Sequence, residues 1–135
     1  MKSKPVLTAE DVKKILAASE THAVKNGWAV TIAVVDDGGH TLGLLRLDNA
    51  APISSHIAPA KGKTAALGRR ESGGYEELIN KGRTAFLSAP VLEGMLEGGV
   101  PIIADGEVVG AVGVSGVKST EDVEIARAGI AALGL

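Results

Sequence analysis

The stretch VPIIADGEVVGAVGVSG, Val100 to Gly116, holds two apolar runs joined by Asp105-Gly106. An Asp-Gly pair between apolar runs favours a type I′ turn, so we predict an antiparallel β-hairpin. The second run carries glycine at every third position, a spacing that fits neither a strand nor a helix. Glycine inside a strand marks a bulge, or a close approach by another backbone or by a ligand.

The glycines leave both faces of the second predicted strand shallow. The face with Ala111, Gly113 and Ser115 cannot fill the space above it, and two interpretations remain open. In the first, Gly113, Ser115 and Gly116 form the floor of a ligand site. The helix that begins at Ser119 would then offer its N-terminal amides, near Ser119 to Asp122, to a carboxylate. In the second, a helix packs flat on the glycines.

Outward from this hairpin, the sequence predicts a second hairpin and four helices, one of them short. WAVTIAVVD and TLGLLRLD are strands joined by DGGH, whose glycines permit a tight turn. The first helix begins with Thr8 and Asp11 at capping-box spacing and closes on Gly27. The second helix is SHIAPAKGKTAALGRR, where Pro59 is tolerated only in the opening turn. The short third helix is the segment Tyr75–Lys81. The last helix is STEDVEIARAGIAALG, where Ser119 and Asp122 have capping-box spacing.

These elements, in the order α-β-β-α-(α)-β-β-α, predict one domain over residues 1–135. Because both strand pairs are tight hairpins, we expect an antiparallel sheet. The fold class is therefore an α/β (α+β) sandwich, in which a central antiparallel sheet of four to five strands is covered by helices.

Composition and charge exclude several classes of function. The net charge is −2 and the basic residues are scattered, so we expect no nucleic acid partner and no membrane partner. The chain has no cysteine, which rules out disulfides, thiol catalysis and iron–sulfur clusters. It shows neither the apolar core of a secretory signal nor the run of about 18 apolar residues that a membrane span needs. We therefore expect a cytoplasmic protein.

Some motifs suggest a function but lack the context it needs. GKT at residues 62–64 is similar to the end of a phosphate-binding P-loop, yet the required upstream glycine is replaced by Ile57. The glycines at 110, 113 and 116 do not match the dinucleotide-binding fingerprint. The three histidines, at 22, 40 and 56, lie on different elements and lack the spacing of a zinc site.

Four blocks of the sequence closely resemble the GlcG/HbpS haem-binding family. They are IAVVDDGGHTLGLLRLDNA (Ile32–Ala50), IAPAKGKTAA (Ile57–Ala66), GGVPIIADGEVVGAVGVSG (Gly98–Gly116) and EDVEIARAG (Glu121–Gly129). The family also includes the C-terminal domain of PduO-type corrinoid adenosyltransferases. The resemblance implies an α/β sandwich and homo-oligomers, and haem binding or degradation in some members. It also implies a place in operons for glycolate, diol or aromatic catabolism.

The resemblance also points to individual residues. The family motifs fall on Asp36, Gly38, Gly39, His40, Arg46, Asp48, Lys61, Thr64, Ser115, Gly116 and Asp122. One departure stands out, because Gly62 follows Lys61 where the family usually has alanine. Glycine inside a helix costs about 1 kcal/mol relative to alanine, which suggests close packing at this position.

Three functions remain open at this level. In the first, the chain binds haem, with His40 on the iron and Arg46, Lys61 or Lys63 on the propionates. In the second, it is an enzyme or binding protein for a carboxylated catabolic intermediate, with Arg46 or a lysine on the carboxylate and Asp36 or His40 handling protons. In the third, it is an accessory structural subunit without a ligand. Alanine-rich helices bury little apolar area, so we also expect a homo-oligomer.

Overall fold

The computed structural model describes all residues from 1 to 135. The elements follow the predicted order, with one 3-10 helix added at Thr84–Ser88. They are α1 (Ala9–Lys25), β1 (Thr31–Asp36), β2 (Thr41–Arg46), α2 (Ser54–Gly68), α3 (Gly73–Asn80), β3 (Gly99–Ala104), β4 (Glu107–Ser115) and α4 (Ser119–Ala131). No helix combines the length and the apolar character needed to cross a membrane.

The four strands form one antiparallel sheet in the order β2-β1-β4-β3. Each predicted hairpin supplies one edge strand and one central strand, and β1 pairs with β4 in the middle. In the turn between β3 and β4, Asp105 and Gly106 have φ values of +51° and +74°. Two successive positive φ values define a type I′ turn, which confirms this prediction. The predicted fold class is also confirmed.

Helices cover both faces of the sheet. On one face, α1 and α4 pack on a core of branched side chains that includes Ile32, Val34, Val112 and Val114. Full burial of one such side chain contributes about 1.5–3 kcal/mol, so this layer supplies much of the stability. On the other face, α2 lies across the central strands, where the small cluster of Val35, Ala65, Ala66 and Ala111 leaves little space between helix and sheet.

Close contact between α2 and β4 explains Gly113, whereas a Cβ atom on Gly110 would instead meet the carbonyl oxygen of Val35 and the side chain of Leu7. A Cβ atom placed on Gly113 would lie 2.0 Å from the carbonyl oxygen of Ala58 and 2.5 Å from the amide nitrogen of Gly62. One on Gly62 would lie 3.3 Å from the amide nitrogen of Gly113. The structure thus shows the packing alternative at Gly113, and it accounts for the glycine after Lys61.

Two local predictions need correction. Residue 118 caps α4, and its amide donates to the carboxylate of Glu121 at 3.2 Å, so Ser119 and Asp122 do not form the capping box. Asp122 instead accepts a hydrogen bond from the amide of Val117 with one carboxylate oxygen and one from a buried lysine with the other. Pro59 lies in the second turn of α2, since the helix begins at Ser54. At α1, the box of residues 8 and 11 is present as predicted.

Candidate functional site

The turn between β1 and β2 orients the imidazole of His40. One carboxylate oxygen of Asp36 accepts hydrogen bonds from the amides of Gly38 and His40, both at 2.9 Å, and lies 3.1 Å from Nδ1 of His40. Gly39 makes the turn possible with a φ of +81°. A carboxylate can only accept, so in the neutral ring Nδ1 carries the proton and Nε2 keeps a free lone pair. The His40 side chain is 81% exposed, which leaves Nε2 open to a ligand.

A cleft of about 290 Å³ opens beside this turn, and we call it the hairpin cleft. It is lined by Gly39, Thr41, His56, Pro59, Ala60, Lys63, Val91 and Glu93. Lys63 packs closely on the turn, because a Cβ atom on Gly39 would lie 2.7 Å from its Cγ atom. Its ammonium group forms no ion pair. The cleft therefore combines a free cation with the neighbouring oriented imidazole, a pairing that suits an anionic ligand.

Lys61 and Asp122 are engaged with each other inside the protein. Nζ of Lys61 lies 3.2 Å from Oδ2 of Asp122 and donates to the carbonyl oxygen of Val114 at 3.0 Å. The two side chains are only 5% and 2% exposed. Burial raises the pKa of Asp122, and the nearby Lys61 ammonium partly opposes this rise. Both side chains are therefore engaged inside the protein and are not open to solvent.

The remaining predicted residues lie at the other end of the sheet. Arg46 pairs in register with Thr31, and Thr31 pairs with Ser115, so these three residues form one row across the strands. Arg46 is five residues from Thr41, which places it roughly 17 Å from the hairpin turn along the strand. Gly116 follows at the same end, with a φ of +144°. The structure thus brings together Asp36, His40 and Lys63, and it separates them from the others.

Sequence reasoning missed a second concave surface, a groove of about 530 Å³ between α1 and α4. It is lined by Lys14, Ala17, Ala18, Thr21, His22, Lys25, Ala128 and Ala132. Nε2 of His22 contacts the Glu124 carboxylate at 2.6 Å, so this ring is already engaged. The spacing of residues 14, 18, 21 and 25 along α1 could have revealed the stripe. Thr41, Val91 and Glu93 of the hairpin cleft were also missed, because they are far apart in sequence.

The structure offers histidines singly rather than in metal-binding groups. No three His, Asp or Glu side chains converge where they could hold a metal ion. An iron atom on this chain would need a macrocycle to supply its other ligands. A metal-binding imidazole usually has its other nitrogen fixed by a carboxylate, and both His40 and His22 meet this condition. His40 fits a metal better, because its side chain is 81% exposed and that of His22 only 30%.

Comparison with known proteins gives consistent matches. A family model described as "Haem degrading protein HbpS-like" matches residues 7–131. Protein GlcG of Escherichia coli K12 is 56% identical over 115 residues, which is 85% of each chain. The crystal structure of an HbpS double mutant from Streptomyces reticuli superposes with a TM-score of 0.89 at 34% identity, over 100% of this chain and 92% of that one. The crystal structure of a PduOC:heme complex gives 0.85 at 26% identity, over 95% of each chain.

Proposed function

The chain belongs to the haem-degrading HbpS-like family, and on this basis we propose that it binds haem. A solved relative of the same fold is described as a complex with haem, which supports the proposal. The observation that carries it on this chain is the pairing of His40 with Asp36, which leaves Nε2 of an exposed imidazole free. In the proposal, His40 holds the iron and Lys63 pairs with a propionate.

The size of the hairpin cleft limits how much of the haem it can hold. Pockets that enclose a ligand usually measure about 300–1,000 Å³, and this cleft, at about 290 Å³, lies at the lower limit. Most of the porphyrin would therefore lie outside the cleft. Val91 in the cleft lining and Leu67, which lies beside Gly39, are exposed and provide apolar surface for contact.

We also propose a homo-oligomer, for which the edge strand β2 provides an apolar surface. Leu42 and Leu44 are each 43% exposed on this strand. Leu44 pairs in register with Ala33, so its side chain lies on the face that α2 covers only in part. An edge strand with exposed apolar side chains is a template for pairing with another chain. A second copy seated there would cover the region around the hairpin cleft.

A haem titration followed by absorbance tests the proposed binding. We expect the purified chain to shift the Soret band of haem and to saturate at a defined ratio of haem to protein. Albumin at the same concentration gives the reference for binding to an unrelated protein surface. A spectrum that stays that of free haem throughout the titration would rule out the proposal.

A second candidate function is supported by the size and polarity of the same cleft. A cleft of about 290 Å³ with Lys63 and His56 in its lining suits a small carboxylate better than a whole porphyrin. Native mass spectrometry of protein isolated from its own host would separate the two functions. A retained haem supports haem binding, and a retained small acid supports binding of a small carboxylate. An oligomer without any ligand supports the remaining alternative, an accessory structural subunit.

A further inference from the structure

The segment Pro90–Gly94, which we call the strap, forms one wall of the hairpin cleft through Val91 and Glu93. Val91 has a φ of +70°, and the residue is 58% exposed. A β-branched residue is a clear outlier in this left-handed region. The other non-glycine residues with positive φ are asparagine, arginine and aspartate, none of them β-branched. The strap therefore carries backbone strain at the wall of the candidate site.

Hydrogen bonds do not hold this strained conformation in place. None of the amides from Val91 to Leu96 donates to an acceptor in the protein. The strap is anchored by packing at one end, where a Cβ atom on Gly94 would lie 2.3 Å from the carbonyl carbon of Ala60. Strained backbone at ligand clamps persists where surrounding contacts determine it. Because the strap amides have no acceptor in the protein, an acceptor placed in the cleft would gain hydrogen bonds that these amides do not make within the fold.

The charges of the cleft indicate which acceptor would fit. Lys63 is the only lysine or arginine in the lining, and its ammonium group lies more than ion-pairing distance from Glu93. His56 is the other nitrogen-bearing side chain there. An anionic oxygen beside Lys63 could accept from free amides of the strap, and charge-assisted hydrogen bonds of this kind are strong. Glu93 would have to turn away, because its carboxylate repels such a ligand.

We propose that the strap closes over a carboxylate held by Lys63 and that its amides donate hydrogen bonds to that carboxylate. This inference rests on the proposed function, because it takes the hairpin cleft as the ligand site. The carboxylate can belong to a haem propionate or to a free small acid. Both sources have the same chemistry, and the experiment below separates them.

Hydrogen–deuterium exchange of the full chain tests the closure directly. Three probes are compared: haem, haem dimethyl ester, which lacks free propionates, and succinate at millimolar concentration. We expect haem to slow exchange in the peptide covering residues 91–96 at least tenfold, and the ester to leave it unchanged although it still shifts the Soret band.

Protection by succinate with no haem binding would support closure on a free acid and overturn only the haem proposal. Haem binding without strap protection by any probe would overturn the closure alone, and no binding of any probe would overturn both.

Variants of the strap test strain and charge separately. Val91→Asn should raise the melting temperature relative to Val91→Thr, because asparagine tolerates the left-handed region and threonine is β-branched. Glu93→Gln should tighten binding of the protecting probe about threefold to tenfold, whereas Glu10→Gln, on an exposed residue of α1, should not. A melting temperature of Val91→Asn at or below that of Val91→Thr, or equal effects of the two Glu→Gln variants, would overturn the proposal.

Discussion

Asp36 links the backbone of the first hairpin to the proposed iron ligand. Its carboxylate accepts from two amides of the turn and from the ring of His40. We expect Asp36→Asn to weaken haem affinity about 10-fold to 100-fold, the usual effect of losing a partner that orients a metal ligand. Absorbance titration measures the change. Asp48→Asn, also at a hairpin strand end, is the control, and equal affinity of both variants would contradict the role of Asp36.

Gly113 is a residue where the structure decides between packing and binding. With 2.0 Å between its virtual Cβ and the oxygen of Ala58, a larger side chain must push α2 off the sheet. We expect Gly113→Val to lower the free energy of unfolding by about 1–3 kcal/mol or more, measured in urea, while the folded fraction still binds haem. The exposed Ile103→Val is the matched control. Normal stability with lost binding would instead make Gly113 part of the site.

At the scale of elements, the Lys61–Asp122 pair connects α2 to α4 through the end of β4. Lys61→Met leaves Asp122 buried without its partner, which costs about 3–5 kcal/mol at pH 7. The raised pKa of Asp122 means that the folded state binds a proton more tightly than the unfolded state, whose carboxyl keeps a pKa near 3.8. Ionising Asp122 therefore lowers stability as pH rises from 3.8 through the folded pKa.

Because ionisation of Asp122 lowers the stability of the folded state, the effect of Lys61→Met on stability should depend on pH. We expect its loss of stability relative to the wild type to be largest at pH 7 and to shrink toward pH 4, as Asp122 takes up a proton. Urea unfolding at several pH values measures it. Lys14→Met, on the exposed side of α1, should show no such trend. A constant difference between Lys61→Met and wild type would contradict the buried pair as its cause.

Elements governed by neighbouring residues were predictable from sequence, whereas contacts across the fold were not. The capping box at Thr8 and the turn at Asp105 depend on residues one to three positions apart, and both are present. The capping box predicted at the start of α4 is wrong, because the carboxylate of Asp122 contacts Lys61, which lies 61 positions away in the sequence. The hairpin cleft joins the first turn, α2 and the strap, so Lys63 and His40 could be proposed, but Thr41, Val91 and Glu93 could not.

For the whole molecule, exposed apolar residues on the two sheet edges give a matched test of assembly. Leu44 lies on β2 and Ile103 on β3, and they are 43% and 54% exposed. We expect Leu44→Glu to reduce the mass seen by light scattering at micromolar concentration, because it places a charge in the proposed interface, whereas Ile103→Glu should leave it unchanged. A wild-type chain that is monomeric at this concentration would contradict the homo-oligomer.

In the proposed haem complex, His40 carries the iron. Resonance Raman spectra of the haem complex, recorded for His40→Ala, His22→Ala and His56→Ala beside the wild type, test this most directly. We expect the iron–imidazole signal to disappear only in His40→Ala, since the ring of His40 is held by a carboxylate and is 81% exposed, whereas the side chain of His22 is only 30% exposed. Retention of the signal in His40→Ala, or its loss only in His22→Ala or His56→Ala, would contradict the account.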